Sequence, residues 1–459
     1  MEKTAVRPDV VLLLENFSDE GKRLFYSFQQ ADKSIPAVVL EENGFLPEGA
    51  VSVYGYFLGD FAQSSLASGT PLYFNQISVP EYWRISGTNR QGEIYDLGRK
   101  RGRILYAKPV HRRLVATVEW LDERGAVRTA DHYNSQGALY AKTTFDASGK
   151  KVMKTYFTAE GQEKIVENFV TKDIILNEDK KVLVFRGKVD FSVYMLQKAG
   201  FAHCHFCYNT LSTPFFVSER FKNPVKKHVL FWQEPKRNDI PGNMSYILRQ
   251  QESQTKAIFV QRRAAYEKLL ELGADRGMLH SIGYIYPFKR DNSHGRQALI
   301  CTNSDQIEQL KKVVEALPEL HFHIAAITEM SPKLMAYGEY ENVSLYPNVK
   351  TTQLDSLFSR CDWYFDINHA DEIVSAVERA FLNNQLVFAF QETAHNREYV
   401  AEEYIYPAKE SDRLMADVKK TIADEKLFNE HLKLQRACAM AEKREAYQNL
   451  LPYMSKGSE

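Results

Sequence analysis

The chain has 459 residues, and its 59 basic and 59 acidic side chains cancel to a formal net charge of zero. The length suits two or three domains with sizeable cores, and the neutral balance excludes a global basic field that would attract nucleic acid or anionic lipid. Five cysteines in so long a chain suit a reducing cytoplasm. The charged start MEKTAVRPD predicts no signal peptide, and no apolar run approaches the roughly 20 residues that a membrane-spanning helix needs.

The first 42 residues predict a β-α-β unit. DVVLLLE is a continuous apolar run typical of a buried strand, and AVVLEE is a second one. Between them, SDEGKRLFYSFQQA has helical spacing, with Ser18 as its N-cap and acidic residues in its first turn. The residues that follow, to about 100, predict strands and loops without helical periodicity.

A regular repeat occupies residues 101–170. Gly125, Gly137, Gly149 and Gly161 recur every twelve residues, each closing a four-residue turn that opens with Asp, Asn or Thr. Such a residue starts a type I turn by bonding its own backbone, and the glycine takes the left-handed position. Because the segments between the turns alternate apolar and polar residues, we predict an antiparallel β-meander.

Strand and helix patterns alternate again after residue 170, so the meander is predicted as an insertion within a first α/β domain. Cys204 and Cys207 form a CxxC in this part, interleaved with two histidines. A metal site would need further ligands, and there is no second CxxC. We therefore interpret the segment as a strand and predict no metal site.

Pro, Gly and charged residues at 284–297 indicate a linker to a second α/β domain. The strands ALICTN, HFHIAAI, VSLYP, WYFDI and LVFAF alternate with helical segments, which is the doubly wound pattern. Residues 410–450 are helical and charged.

The stretch Cys361–Glu392 contains the most informative site pattern. It predicts a strand, the loop NHADE, a helix and a second strand, and ligands of such sheets bind beyond the carboxyl ends of the strands. This order resembles the donor-sugar segment of retaining glycosyltransferases of the GT-B architecture, which carry two glutamates separated by seven residues. Glu378 matches the second, ribose-holding glutamate, but Ala370 stands at the place of the first.

A nucleotide-sugar diphosphate also needs cations that stabilise it as a leaving group. Retaining relatives place an Arg and a Lys after the first strand of the second domain, where this chain has NSDQIE. Asp305 adds negative charge there, and Lys311 and Lys312 lie two helical turns further on. We therefore predict a glycosyltransferase-like pseudoenzyme with no catalytic residue and no cofactor.

A groove that has lost its catalytic groups can still bind an acceptor or its sugars. The candidates are the polar and aromatic residues expected at strand ends, namely Trp232, Glu234, Asn303, Asp366, His369, Glu372 and Glu378. Trp232 can stack on a ligand or fill the core. His369 beside Asp366 can act as an acid–base pair or be solvated, and Glu378 can be a retained structural residue.

The chain as a whole resembles the non-catalytic stabilising subunits of the accessory-Sec O-GlcNAc-transferases of streptococci and lactobacilli. The matching stretches include EENGFLPEG, PLYFNQISVPEYW, HYNSQG, VLFWQEPKRNDIPGNM, IAAITEMSPKL and DINHADE. The resemblance implies a partner, a homologous catalytic GlcNAc-transferase bound through the β-meander, and an acceptor, the serine-rich repeat adhesin polypeptide. It also implies a cytoplasmic protein that associates at most peripherally with the cell membrane.

The predicted fold is α/β and GT-B-like, with two doubly wound Rossmann domains and an all-β meander inserted in the first. The expected boundaries are 1–45 and 171–288 for the first domain, 46–170 for the meander, 289–430 for the second domain, and 431–459 for a helical segment returning to the first. Two other functions stay open: an active retaining glycosyltransferase that uses UDP-GlcNAc through Glu372 and Lys311, and an assembly factor that binds only its partner.

Overall fold

The computed structural model describes residues 9–59, 69–88, 90–178, 180–222, 228–249 and 252–455. The N-terminal residues 1–8, on which the prediction of no signal peptide rests, lie outside this part. The chain divides into two compact units, one made of Met1–Ile282 with Arg444–Glu459 and the other of Gly283–Lys443. No helix of the described residues has the length and apolarity needed to cross a membrane.

The first unit contains two sheets. In the sequence, the strands of the antiparallel sheet lie between the third and fourth strands of the parallel sheet. Three strands open the unit: β1 (Val10–Leu14), β2 (Ala37–Val39) and β3 (Ala50–Ser52). Ten antiparallel strands follow: β4 (Trp83–Gly87), β5 (Gln91–Asp96), β6 (Arg99–Tyr106), β7 (Val115–Leu121), β8 (Val127–Tyr133), β9 (Leu139–Phe145), β10 (Lys151–Phe157), β11 (Glu163–Asn168), β12 (Ile174–Glu178) and β13 (Lys181–Phe185). The parallel strands then resume with β14 (His205–Tyr208), β15 (His228–Trp232), β16 (Thr255–Val260) and β17 (Leu279–Ser281).

The parallel sheet of the first unit has the order β17-β16-β15-β14-β1-β2-β3, which is doubly wound. Its helices are α1 (Asp19–Ala31), α2 (Gly55–Leu58), α3 (Lys188–Lys198), α4 (Thr213–Ser218), α5 (Gly242–Leu248) and α6 (Arg263–Glu271). As predicted, Ser18 caps α1, accepting a hydrogen bond from the Gly21 backbone N–H at 3.1 Å.

The second unit contains one parallel sheet of six strands. They are β18 (Gln297–Thr302), β19 (His321–Ala326), β20 (Val343–Tyr346), β21 (Trp363–Asp366), β22 (Leu386–Phe390) and β23 (Ile405–Tyr406), in the order β20-β19-β18-β21-β22-β23. The helices are α7 (Leu310–Ala316), α8 (Pro332–Met335), α9 (Thr351–Arg360), α10 (Ala376–Leu382), α11 (Ser411–Ala423) and α12 (Glu425–Cys438). The last helix, α13 (Arg444–Ser455), belongs to the first unit, where Tyr447 packs on Phe28 with ring centroids 5.4 Å apart.

The repeat of twelve residues forms the predicted meander. In its first turn, Asp122 Oδ1 accepts hydrogen bonds from the backbone N–H groups of Arg124 and Ala126, at 2.9 and 3.0 Å. Gly125 completes the turn with a φ of 81°, in the left-handed region that glycine occupies without strain. The two parallel sheets and the inserted antiparallel sheet confirm the predicted fold class.

The observed limits of the meander differ from the predicted 46–170. Ala50–Ser52 pairs with β2 in the parallel sheet, while Ile174–Glu178 and Lys181–Phe185 close the antiparallel sheet. The apolar run KVLVF, residues 181–185, lies within the 171–288 part predicted as the parallel first domain. It is instead the edge strand β13 of the antiparallel sheet, with Val182 and Val184 62% and 64% exposed. At the other end of the chain, residues 431–443 belong to the second unit rather than to the segment that packs on the first.

The two faces of the meander are covered by different parts of the chain, each near a different end of the sheet. Near β9–β12, residues of one face, including Tyr156, Ile165 and Leu176, join the core of the parallel domain. Near β5–β7, the other face is covered by the segment before β4, with Ile77 packed in one cluster with Ile94, Ile104 and Val118. Residues paired across successive strands show that Val118 and Val184, at the two ends of this series, lie on the same face of the sheet. At the β13 edge this face is exposed to solvent.

We call the open part of this face the outer strip. It comprises Met153, Val166, Ile175, Val182 and Val184, and the last two are its most exposed members. An exposed edge strand with apolar side chains is a surface that soluble proteins ordinarily protect.

Cys204, directly before β14, and Cys207, within it, are both buried. Burial raises the pKa of the Cys207 thiol far above its ordinary value, which keeps the thiol protonated and unreactive. Among the described residues, no group of three or more His, Cys, Asp and Glu side chains is arranged to hold a metal ion.

Candidate functional site

The second sheet reverses its strand order between β18 and β21. In doubly wound sheets, the crevice beyond the carboxyl ends of such a pair is the usual place for a nucleotide. Here the crevice lies between the loop after Thr302 and the loop after Asp366. These are the NSDQIE and NHADE loops of the sequence.

The two loops are hydrogen-bonded to each other across this crevice. Ile307 and Asn368 form an antiparallel bridge. The Glu308 backbone N–H donates to the Ile367 carbonyl at 2.7 Å, and the His369 N–H donates to the Gln306 carbonyl at 3.0 Å. Two backbone N–H groups at the place where a diphosphate would be held are thus bound within the chain.

Side chains strengthen the same closure. Asn368 is 2% exposed; its Oδ1 accepts from the Thr302 hydroxyl at 2.7 Å, and its Nδ2 donates to the Ala370 carbonyl at 3.0 Å. Above it, His369 Nε2 lies 2.6 Å from Glu308 Oε2. The structure therefore pairs His369 with Glu308, and not with Asp366 as the acid–base alternative required.

Asp366 has another partner, His395, in the loop after β22. The backbone N–H of His395 donates to Asp366 Oδ2 at 2.8 Å, and its Nδ1 lies 2.6 Å from Asp366 Oδ1. The other ring nitrogen lies 2.6 Å from the Ala370 carbonyl oxygen. Because both nitrogens face acceptors, the imidazolium is favoured, and the Asp366 carboxylate raises the pKa of His395 to about 9.

The remaining two carboxylates support local structure. Glu372 Oε1 accepts the Val377 backbone N–H at 2.8 Å near the start of α10. Burial raises the pKa of Glu372, and the nearby charges of Asp366 and Glu378 act in the same direction. Glu378 Oε1 accepts a hydrogen bond from the Tyr399 hydroxyl at 3.2 Å.

The cations near this edge are directed elsewhere. Lys312 pairs with Asp412 at 2.8 Å, and Lys311 pairs with Glu315 on its own helix at 3.8 Å. Arg379, next to Glu378, pairs with Asp355 and lies over the Phe358 ring, 4.2 Å from its centroid. Arg397, exposed two residues after His395, donates to the Gln391 carbonyl at 3.1 Å. The NSDQIE and NHADE loops themselves contain no Arg or Lys, so they present carboxylates and the His369 imidazole rather than a diphosphate clamp.

Asn303 follows β18 directly. Its Oδ1 is buried without a hydrogen-bond partner in the described part of the chain. A buried amide oxygen without a donor is unusual in a folded protein, which keeps Asn303 a candidate for binding a hydroxyl or amide group.

In the first unit, the structure favours the second of the two alternatives for Trp232, a side chain that fills the core. Its side chain is 2% exposed and belongs to the core of the parallel domain, because it points into the helical layer from the last position of β15. Glu234 is exposed after the same strand and pairs with Arg237 at 3.3 Å.

Between these two residues, Gln233 joins a buried amide network that the sequence did not reveal. Its Oε1 accepts from Asn209 Nδ2, and its Nε2 donates to Gln261 Oε1, both at 3.0 Å. Asn209, Gln233 and Gln261 each follow a parallel strand, so their position at strand ends was the available signal. The same signal applies to His395 after β22.

Four family models match the chain in order. They are the GtfB N-terminal domain over residues 11–57, the GtfB middle domain over 83–186, the GtfB third domain over 188–272, and the GftB/GlyA-F C-terminal domain over 298–435. The middle-domain match has nearly the limits of the antiparallel sheet.

Similar proteins are named UDP-N-acetylglucosamine–peptide N-acetylglucosaminyltransferase stabilizing protein GtfB. The one from Streptococcus gordonii is 38% identical over 417 residues, covering 90% of this chain and 92% of the relative. The one from Streptococcus pneumoniae is 40% identical over 418 residues, covering 90% and 93%.

Among solved structures, a chain of a GtfA/B complex bound to UDP and GlcNAc superposes with a TM-score of 0.91 at 38% identity, covering 96% of this chain and 99% of that one. The glycosyltransferase-like fold is also shared with TarM, at a TM-score of 0.53 and 12% identity over 98% of this chain and 99% of that one. The chain therefore belongs to the GtfB family of stabilizing proteins of the peptide N-acetylglucosaminyltransferase.

Proposed function

We propose that this chain is the non-catalytic subunit that stabilises a catalytic GlcNAc-transferase and binds the Ser/Thr-rich adhesin polypeptide for O-GlcNAc transfer. The observation that carries the proposal is the closed crevice between β18 and β21. A donor site must grip a diphosphate with cations and free N–H groups. Here the Glu308 and His369 N–H groups pair within the chain, and the two histidines of the crevice, His369 and His395, are bound to Glu308 and Asp366.

The outer strip supports the meander as the surface for the catalytic subunit. Its apolar side chains lie on an edge strand, and a partner that covers them removes both exposed apolar area and unpaired backbone groups from water. A homologous catalytic subunit with a meander of its own would offer a face of the same kind.

For the acceptor, Asn303, Glu234 and the crevice residues Asp366, His369, Glu372 and Glu378 remain the proposed groove residues. Binding a flexible Ser-rich chain costs ordering entropy, which repeated weak contacts along the polymer can offset. We also propose that the complex works in the cytoplasm, with peripheral association at the inner membrane face.

The direct test is reconstitution. The catalytic subunit, labelled UDP-GlcNAc and a Ser-rich peptide are incubated with and without this chain; we expect faster transfer and longer-lived enzyme when the chain is present. The chain alone should neither hydrolyse nor transfer from UDP-GlcNAc. Turnover by the chain alone that disappears in Glu378→Ala would establish the active-glycosyltransferase alternative instead. Calorimetry with the peptide and the chain alone tests whether the chain binds the acceptor. An assembly factor that binds only the catalytic subunit would give no heat of peptide binding.

The partner surface is tested by point variants, since removing 101–170 would leave β4–β5 and β12–β13 without their neighbouring strands. Val182→Glu with Val184→Glu should abolish co-purification with the catalytic subunit because charge is buried in the contact. Leu105→Glu is the matched control: it is an exposed apolar residue on the opposite face of the same sheet. Normal co-purification of the double variant would refute this surface.

A further inference from the structure

One corner of the antiparallel sheet holds two large apolar side chains in open solvent. Tyr82 directly precedes β4, and Leu97 lies in the turn between β5 and β6. They are 87% and 86% exposed, more than any other large apolar side chain of the described residues. Because Trp83 pairs with Asp96, the two residues lie side by side at this corner.

The backbone at both residues is unusual. Tyr82 and Leu97 have φ values of 70° and 52°, in the left-handed region that glycine and asparagine normally occupy. Asp96 pairs with Arg99, so Leu97 and Gly98 alone form the turn, and a Cβ added to Gly98 would meet nothing within 4 Å. Neither the turn geometry nor contact with water favours a leucine here, which points to a role outside folding.

The same corner carries a small excess of positive charge in a chain that is neutral overall. Three of the six Arg and Lys side chains in residues 81–103 are held in ion pairs: Arg101 with Asp96 at 3.1 Å, Lys100 with Glu93, and Arg103 with Glu119 at 2.7 Å. Arg90 lies in the hairpin at the other end of β4 and β5, so the corner itself has Arg84 and Arg99 against Glu81. Arg99 is exposed beside Leu97, and Arg84 lies over the Tyr95 ring, 5.2 Å from its centroid.

We infer that this corner docks on an anionic lipid surface. Leu97 and the ring of Tyr82 enter the interfacial layer, where an amphipathic tyrosine is favoured, and the Arg84 and Arg99 side chains meet the lipid phosphates. The next turn, Asp122–Gly125, contains Asp122 and Glu123, so contact is confined to the corner formed by β4–β6. The inference rests on the peripheral membrane association proposed above and assigns it to this corner of the sheet.

The test uses the full-length chain and vesicles of phosphatidylcholine with or without phosphatidylglycerol, followed by sedimentation. We expect binding only to the vesicles with phosphatidylglycerol, weakening as salt is raised. Leu97→Asn with Tyr82→Asn should lower that binding about tenfold, since the two apolar side chains are lost. Asparagine tolerates left-handed backbone, so the variant keeps its turns. Arg84→Gln with Arg99→Gln should reduce binding and flatten its salt dependence.

Val170→Asn is the matched control, an exposed valine in the turn after β11, outside both the corner and the outer strip; its lipid binding should equal that of the wild type. Unchanged vesicle binding by the Leu97/Tyr82 variant would overturn the inference. So would a loss of co-purification with the catalytic subunit in that variant, because the corner would then be a protein contact. If the outer-strip variants still co-purify with the catalytic subunit, the proposed partner surface is refuted. That outcome does not affect the vesicle-binding test of the Tyr82/Leu97 corner.

Discussion

His395 Nδ1 lies 2.6 Å from Asp366 Oδ1, and this pair connects the loop after β22 to the end of β21. The second ring nitrogen lies 2.6 Å from the carbonyl oxygen of Ala370, the residue that the sequence resemblance predicts at the place of the first donor-site glutamate. The imidazolium thus balances the buried carboxylate and holds the NHADE loop. In this unit, a structural ion pair occupies the place where chemistry would be expected.

This pair should make stability depend on pH. The pKa of His395 is raised to about 9 in the folded protein, against about 6.5 in an unfolded chain. Its contribution is therefore fully present below pH 6.5 and is lost as the pH rises through 9. We expect His395→Gln to be less stable by about 3 kcal/mol at pH 6, since Asp366 is left buried without a counter-charge, and the difference from the wild type to shrink towards pH 10. Urea unfolding at several pH values measures it.

Comparison with the wild type is essential, because burial lowers the pKa of Lys154 to about 8 and changes stability in the opposite sense over an overlapping pH range. His431→Gln is the control: burial lowers its pKa, so its titration lies below neutral pH. A wild-type-minus-variant difference for His395→Gln that stays constant from pH 6 to 10 would contradict the ion pair.

Asn368→Ala should destabilise the second unit by about 2 kcal/mol. The substitution removes an amide that is 2% exposed and with it two hydrogen bonds, to the Thr302 hydroxyl and to the Ala370 carbonyl. Thr302 keeps the Ser304 carbonyl and Ala370 keeps His395 as partners, so the loss is limited to these two bonds. Calorimetry should still detect no binding of UDP-GlcNAc, since opening the crevice supplies no cation. Asn429→Ala, at an exposed position within α12, is the control for stability. Tight UDP-GlcNAc binding by Asn368→Ala would show that closure alone blocks a competent donor site.

Trp232→Ala should cost about 3–5 kcal/mol of stability, because it opens a large cavity in the core of the parallel domain. Trp232→Phe should cost less, and the folded variant should bind the Ser-rich peptide as the wild type does. Peptide affinity is measured by calorimetry and stability by urea unfolding. Lost peptide affinity in a fully folded Trp232→Phe protein would return this residue to the groove.

The sequence predicted most of the fold because its local signals agree with the tertiary structure. Ser18 caps a helix, and the turns that end at Gly125 and Gly149 form where the chain places Asp and Gly at the required offsets. It failed at Lys181–Phe185, since an apolar run of five residues is the same whether the strand is buried or lies at an edge. Register and neighbouring strands decide that difference.

The candidate site was less accessible to sequence reasoning. Asp366 and His369 were found because they follow a strand, but their partners His395 and Glu308 lie 29 and 61 residues away. Such pairings depend on the order of the strands in the sheet, which spacing along the chain does not contain. The same limit applied to Trp232. It is the last residue of a strand, and the sequence does not show whether a side chain at that position is buried in the core or faces a groove.

Glu167 should be a main anchor of the meander on the parallel domain. It is 6% exposed on β11, accepts the Tyr54 hydroxyl at 3.2 Å, and lies 3.6 Å from the Lys188 ammonium. Burial, with the Glu167 charge, raises the pKa of Tyr54 well above its ordinary value, so that hydroxyl remains a donor. We expect Glu167→Ala to lower stability by about 3 kcal/mol and Tyr54→Phe by about 1 kcal/mol. In the double variant the losses should not add, because both remove the same contact. Glu163→Ala, exposed on the same strand, should be neutral in the same urea titrations. Fully additive losses would show that the carboxylate and the hydroxyl stabilise the junction independently.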